Sequence, residues 1–365
     1  MAQNYDHSLS FLFKDLVVIE LAGVLAGPSV GLFLAELGAR VIKIENPNTG
    51  GDVTRTWRLP GEQSGTNESA YYWSVNTKKE VLFLDLKSIE GQQTLHALVE
   101  KADIVITNYK LGDAAKNGAD YATLSHLQPK LIYASVNGFG ENSPRTAYDL
   151  ILQAESGFMS LNGTPDSGPV KMPVALIDLL AAHQLKEALL IALLKRERLN
   201  SGSHISVSLF NSAIASLANQ ATNWLIAHHL PQRTGSLHPN IAPYGEVFTT
   251  HDQKQITFAI GNDDHFKSLC ELAALTELIS DERYRRNTDR VKNRVELFES
   301  LQPAIQALTY EKIHRFCQEK HLPMGLIRNL KEVFELPEAK ELLRNFEHEG
   351  NLMQSVSGIA FNFHA

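Results

Sequence analysis

The apolar positions along the chain switch repeatedly between two spacings. Leu16–Leu21 (LVVIEL) is a continuous β-rich run, whereas Ser29–Leu37 sets Val30, Phe33, Leu34 and Leu37 at helical intervals. A glycine-bearing turn, Ala22–Pro28, joins them, and Pro28 suits a first helical turn, where a missing N–H costs nothing. Gly38 ends that helix and Arg40–Glu45 (RVIKIE) reads as the next strand, which completes a βαβ unit. Further strands are predicted at Val81–Leu86, Ile104–Thr107 and Leu131–Val136, with helices at Ser88–Lys101 and Tyr121–Leu127. A long helix follows at Asp178–Leu199, then a strand at Ile205–Leu209 and a second long helix at Asn211–His228. Strands alternating with helices predict a parallel sheet covered on both faces.

The pattern changes at Leu230–Tyr244, which is rich in Pro, Gly, His and Asn. Beyond it, Glu246–Thr250 and Gln255–Ala259 read as antiparallel strands around the polar turn His251–Lys254. Helices are predicted at Asp264–Ala273, Val291–Gln306 and Tyr310–Lys320. The expected organisation is a large α/β domain over residues 1–229, a small α+β domain over 230–328 and a C-terminal segment over 329–365.

Composition narrows the function. Of 365 residues, 44% are hydrophobic and 21% charged, an ordinary globular balance. A net charge of −7 argues against a dedicated nucleic-acid binder, yet a few local cations could still hold an anionic small ligand. No uncharged apolar run approaches the roughly 18 residues of a membrane span. Met1–His7 lacks the cationic start and apolar core of a secretory signal. Cys270 and Cys317 form no CxxC pair and read as buried free thiols, and the 14 histidines show no metal-ligand spacing. A cytoplasmic protein with no metal, no membrane segment and no nucleic-acid partner is expected.

Several segments carry candidate chemistry. Gly23, Gly27 and Gly31 recur every four residues and never make GxGxxG, so a dinucleotide site is not favoured, although Glu45 stands where a ribose-binding acid would. Asp178 follows the apolar stretch Pro173–Ile177 and opens the long helix, as a helix cap or as a nucleophilic carboxylate. Asp149 lies just before another helix, again in a capping position. Lys43, Lys78, Lys79, Lys110 and Lys116 sit at or near strand ends, the edge where parallel sheets bind ligands. The Arg/Asp run Asp281–Arg294 reads as a solvated helix face.

Taken in order, these segments resemble the class III coenzyme A-transferase family, which includes formyl-CoA transferase, carnitine CoA-transferase and α-methylacyl-CoA racemase. The matching text comprises Phe13–Glu20, Leu25–Pro28, Leu37–Glu45, Gly51-Asp52 with Arg55, Asn76–Lys79, Leu84–Leu86, Ala102-Asp103 and Asn108-Tyr109. It continues through Ser135–Gly140 (SVNGFG), Tyr148–Gly157, the Asp178 segment, His238–Tyr244 and Pro323–Gly325. The resemblance implies a large Rossmann-like domain, a small domain and an interlocked homodimer. It implies that Asp178 is the covalent nucleophile and that Val24, Ala26, Lys79, Asn108, Tyr109 and Lys116 line the CoA site. The implied reaction moves CoA from an acyl-CoA to a carboxylic acid, with CoA as substrate and no tightly bound cofactor. Some positions depart from the family's pattern. Tyr148 stands where the racemase branch has a histidine, and Leu25 where formyl-CoA transferase has a glutamine. Only Gly245 and Gly261 occur where that enzyme has a glycine run, which disfavours formyl or oxalyl specificity. Asn46 and Asn137 replace its cations, and Gly350–Ala365 is unlike the usual tail. Racemase-type proton transfer and a non-catalytic CoA-binding paralogue stay open as alternatives.

Overall fold

Six parallel strands form the central sheet of the computed structural model, which describes residues 11–62 and 65–362. The signal-sequence reading of Met1–His7 lies outside those residues. The strands are β1 (Val17–Glu20), β2 (Arg40–Glu45), β3 (Glu80–Phe83), β4 (Ile104–Thr107), β5 (Ile132–Asn137) and β6 (Ser203–Ser208). Their order is β3-β2-β1-β4-β5-β6, so the chain reverses direction of travel between β1 and β4. In such sheets the crevice beyond the carboxyl ends of the strands at that switch is the place for a ligand. β1 and β4 are buried along nearly their whole length, as continuous apolar runs in a doubly covered sheet require. The edge strand β3 is exposed throughout.

The chain separates into two units. One is built from the described residues of Met1–Gly157, Met172–Ala218 and Pro337–Ala365, and the other from Phe158–Lys171 and Asn219–Leu336. The first holds the sheet, with helices α1 (Ala26–Glu36), α2 (Ala70–Asn76), α3 (Ile89–Val99) and the long helix Leu176–Leu199. It also holds a hairpin the apolar pattern did not predict, β10 (Leu343–His348) with β11 (Asn351–Val356). The predicted helix Asn211–His228 is two helices, Leu209–Ala215 and Ala218–Leu225. Ala218 sits at φ 48°, a left-handed conformation that a continuous right-handed helix cannot contain.

The second unit carries an antiparallel sheet, β7 (Tyr244–Thr249), β8 (Gln255–Ala259) and β9 (Met324–Leu326), against helices whose core includes Phe248, Phe258, Leu297 and Leu301. Cys270 and Cys317 are buried free thiols of this unit. Its Arg/Asp run is only partly the solvated face that charge alone predicts. Arg283 is exposed, but Arg290 is fully buried, and its guanidinium donates to the carbonyls of Ala242 and Tyr284 and to Asp263. Arg294 likewise donates to His238 O, Ile241 O and Glu246. Guanidinium forks can be buried when fixed carbonyls meet each donor. No helix of the described residues is long and apolar enough to cross a membrane.

The four-residue glycine spacing now has a physical reason. A Cβ on Gly27 would lie 2.3 Å from the Ala22 Cβ, and one on Gly31 would lie 1.8 Å from Glu20 Oε2. Helix α1 therefore lies too close to the end of β1 for any side chain on that face. Glu20 cannot yield, because its carboxylate is fully buried between the ammonium groups of Lys43 and Lys79. Gly31→Ala is expected to destabilise the protein by about 1–3 kcal/mol through overpacking, read as a lowered midpoint in urea with an unchanged m-value.

Candidate active site

The site is assembled at the carboxyl ends of β1, β4 and β5. After β1, the turn Gly23–Leu25 leads into α1 and is bound from beneath. Asn108, which follows β4, donates its side-chain amide to Gly23 O (2.9 Å) and accepts the Gly23 N–H (3.1 Å). Lys43 donates to Ala22 O at 2.8 Å, and Asp52 accepts the Val24 N–H. Gly23–Leu25 and Asn108, with Tyr109, the last β5 residue Asn137 and the following Gly138, line a cavity of about 390 Å³.

Asp178 lines the same cavity. It is not a helix cap. The helix begins at Leu176, its preceding residue Ala175 makes no side-chain cap, and Asp178 is the third helical residue. The cap comes from elsewhere in the chain. Asp149 Oδ1 accepts the Ile177 N–H at 2.8 Å, although it belongs to a different helix, Asp149–Glu155. Its other oxygen accepts from Gln153 Nε2 at 2.6 Å, and Gln153 in turn accepts the Met172 N–H at 2.8 Å. Asp149 is thus held on both oxygens. Asp178 has no hydrogen-bond partner among the described residues and is only 9% exposed. Burial, reinforced by the charge of Asp149, pushes its pKa up to about 7. Two neighbouring carboxylates in unlike surroundings are a recurrent way to divide roles between groups of one chemical kind. The Tyr71 phenol lies in the same field. Burial and then the charges of Asp178, Asp149 and Asp52 push it up to about 12, so it stays a neutral donor.

The structure brings Asp178, Val24, Ala26, Asn108 and Tyr109 to one cavity. It does not bring Lys79 and Lys116 into that lining. The Lys79 ammonium is fully buried, bound to Glu20, Pro28 O and Asn76 Oδ1, and burial pulls its pKa below the usual lysine range. Lys116 is exposed and paired with Asp113 at 2.9 Å. Other cations line the cavity instead. Lys110 is one, and Arg145 is another, stacked 3.6 Å over Phe139 and paired with Glu155. His204, bonded to Glu141 at 3.0 Å, contributes the opening of β6. Lys110 belongs to the lysines that the sequence places at or near strand ends, whereas Arg145 and His204 were missed, because neither lies in a motif with a spacing rule. Among the described residues, no three His, Cys, Asp or Glu side chains gather to hold a metal ion.

A buried carboxylate in a cavity at a sheet's switch point fits acyl transfer among other chemistries, and the family comparison decides which kind. The sequence profile of CoA-transferase family III matches residues 13–365. The chain belongs to that family. It is a CoA-transferase, and CoA thioesters are its substrates. The succinate–glutarate CoA-transferase of Agrobacterium fabrum is 41% identical over 329 residues, 88% of this chain and 82% of that protein. The human succinyl-CoA:glutarate CoA-transferase is 34% identical over 356 residues, 96% of this chain and 80% of that protein. A solved CAIB/BAIF family protein from Brucella suis superposes with a TM-score of 0.81 at 37% identity, covering 95% of this chain and 91% of that one.

The raised pKa of Asp178 has consequences for rate and for stability. A reaction that needs Asp178 ionised would show kcat/KM for the acyl-CoA rising with pH through an apparent pKa near 7. For folding, the group favours the native state most below its unfolded pKa near 4, and that contribution is lost as pH rises through about 7. Asp178→Asn is therefore expected to unfold at a higher temperature than the wild type at pH 8. The gap should close toward pH 5, as followed by circular dichroism.

Proposed function

We propose that the CoA-transferase works through a covalent intermediate on Asp178. The observation that carries this reading is a carboxylate lining the cavity without a hydrogen-bond partner among the described residues, beside a second carboxylate fully engaged elsewhere. An Asp178 oxygen attacks the thioester carbonyl of the donor. The C–S bond breaks, a mixed anhydride forms and CoA leaves as its thiolate. The thiolate attacks the aspartyl carbonyl and expels the donor acid as its carboxylate, which leaves CoA thioesterified to Asp178. The acceptor carboxylate attacks that carbonyl and releases the thiolate once more. Attack of the thiolate on the acceptor carbonyl of the new anhydride yields the product thioester and frees Asp178. Thioester and anhydride energies are exchanged throughout, so the cycle needs neither ATP nor a tightly bound cofactor. Donors aimed at the tetrahedral oxyanions are essential to it, and losing one typically costs about 10²–10³ in rate.

The substrates we propose are short dicarboxylic acids and their CoA thioesters, with succinyl-CoA as donor and glutarate as acceptor. The names of the relatives support this, as do Lys110 and Arg145 in the cavity lining, where a second carboxylate needs a cation. Asn108 and Tyr109 are proposed, with Val24 and Ala26, to receive CoA itself. Tyr148, which precedes Asp149, stands where the racemase branch has a histidine, so proton transfer in the racemase manner is not favoured.

The active species proposed is an interlocked homodimer in the cytoplasm, a reducing compartment that suits two buried free thiols. Leu190, Ile191, Leu194 and Leu199 of the long helix are exposed in a single chain. So, in the second unit, are Trp224, Leu225, Ile226 and Leu230. Runs of this kind mark an interface rather than a free surface. Sedimentation equilibrium is expected to give twice the chain mass at micromolar concentration; a stable monomer with full activity refutes the dimer.

For the chemistry, incubation with succinyl-CoA followed by hydroxylamine is expected to leave a mass change on the peptide carrying Asp178. Asp178→Ala should lose turnover by more than about 10³-fold while still binding CoA. Undiminished turnover in that variant removes Asp178 from the mechanism.

A further inference from the structure

Val24 stands in the left-handed region at φ 70°. A β-branched residue is strained there and keeps such a conformation only when its surroundings over-determine it. The restraint can be traced atom by atom. The Val24 N–H donates to Asp52, at 3.1 Å from Oδ2 and 3.4 Å from Oδ1. The Asp52 carboxylate is itself immobilised in the interior, being only 8% exposed. Its Oδ1 accepts the Thr54 N–H at 3.0 Å and the Thr54 hydroxyl at 2.8 Å, and Lys43 Nζ lies 3.0 Å from its Oδ2. Lys43 closes the circuit by donating to Ala22 O, two residues before Val24. Asp52 lies directly beneath the turn, since a Cβ on Gly23 would be in van der Waals contact with Asp52 Oδ2, at 3.4 Å. Gly23, Val24, Leu25 and Ala26 all line the cavity, whereas Asp52 does not.

We propose that Asp52 is a positioning residue of the transfer reaction: its hydrogen bond to Val24 holds the 23–26 turn in the shape that forms one wall of the acyl-CoA cavity. Lys43 and Thr54 serve it by fixing the carboxylate. The inference rests on the reading of that cavity as the acyl-CoA site. Asp52 touches no substrate, and its effect passes through the backbone of the turn. Charge and two-sided acceptance are both needed. With asparagine, whichever way the amide is turned, its NH2 faces a donor, either the Thr54 pair or Lys43 with Val24.

The test compares Asp52→Asn with the wild type in kcat, in KM for succinyl-CoA and in calorimetric binding of CoA, with thermal unfolding as the control for folding. A wall displaced by about an ångström is expected to lower kcat/KM by about 10²-fold. The decisive arm adds Val24→Gly to Asp52→Asn. Glycine adopts positive φ unaided, so the double variant should regain activity several-fold over Asp52→Asn without regaining its lost thermal stability. Kinetics within twofold of wild type in a folded Asp52→Asn protein overturn the proposal. So does a loss that Val24→Gly leaves unrelieved, which assigns Asp52 to stability alone. If Asp52→Asn does not fold, Thr54→Val decides, because it removes only the hydroxyl that fixes the carboxylate. A smaller loss, again relieved by Val24→Gly, supports the role, and unchanged kinetics reject it. Wild-type protein that binds no CoA defeats the functional reading of the cavity, and this inference with it.

Discussion

Lys43 is 1% exposed and meets two carboxylates and a carbonyl at once: Glu20 at 3.0 Å, Asp52 at 3.0 Å and Ala22 O at 2.8 Å. An ammonium so deeply buried is tolerated only when its partners stay in place, and removing one partner of such a cluster typically costs about 3–5 kcal/mol. The cluster therefore acts as a fixed point. It ties the end of β1 to β2, ties both to the short 3₁₀ turn Val53–Thr56 that follows Asp52, and seats α1 through Glu20 and Lys79. A second ionic group adjoins it. Glu45, at the end of β2, binds Arg55 and the Tyr72 hydroxyl, and Arg55 also binds Glu68. Together these charges give the wall of the cavity a rigidity that a loop of small residues could not supply alone.

The same logic explains the two acids near the long helix. Asp149 takes the helix amide and the Gln153 amide, so its charge is satisfied and its position set. Asp178 receives neither and pushes into the cavity a carboxylate that its surroundings do not stabilise. A carboxylate kept poor in hydrogen bonds retains its nucleophilicity, because no donor has to be released before attack. Burial, reinforced by the charge of the capped acid, raises the pKa of the uncapped one, which places ionisation near neutral pH rather than far below it.

Much of this was legible in the chain. The βαβ alternation, the positions of β2 and β4, and the long helix that carries Asp178 follow from apolar spacing, since each element buries one face against the sheet. The ordered set of short motifs pointed to the family, and the resemblance set Val24 and Ala26 with Asn108 and Tyr109 at one site. The roles of single residues were less legible. Asp178 and Asp149 both carried a capping signature, and only the fold assigns the cap to Asp149, which stands 28 positions before the amide it binds. Lys79 and Lys110 looked alike as lysines after strands. One is sealed against Glu20 and the other lines the cavity.

The sequence by itself determined the class of fold, the strand-ending turns and the side-chain types available for transfer chemistry, because local spacing and backbone preference act over a few residues. Tertiary structure alone decided which of the two acids has no hydrogen bond among the described residues, which cations are spent on buried acids, and that Val24 is held in a conformation valine avoids. These are outcomes of desolvation and of contacts between segments far apart in the chain, such as Asp52 with Val24 and Glu20 with Lys79. No pattern along the sequence encodes the distance between such groups until the sheet brings them together.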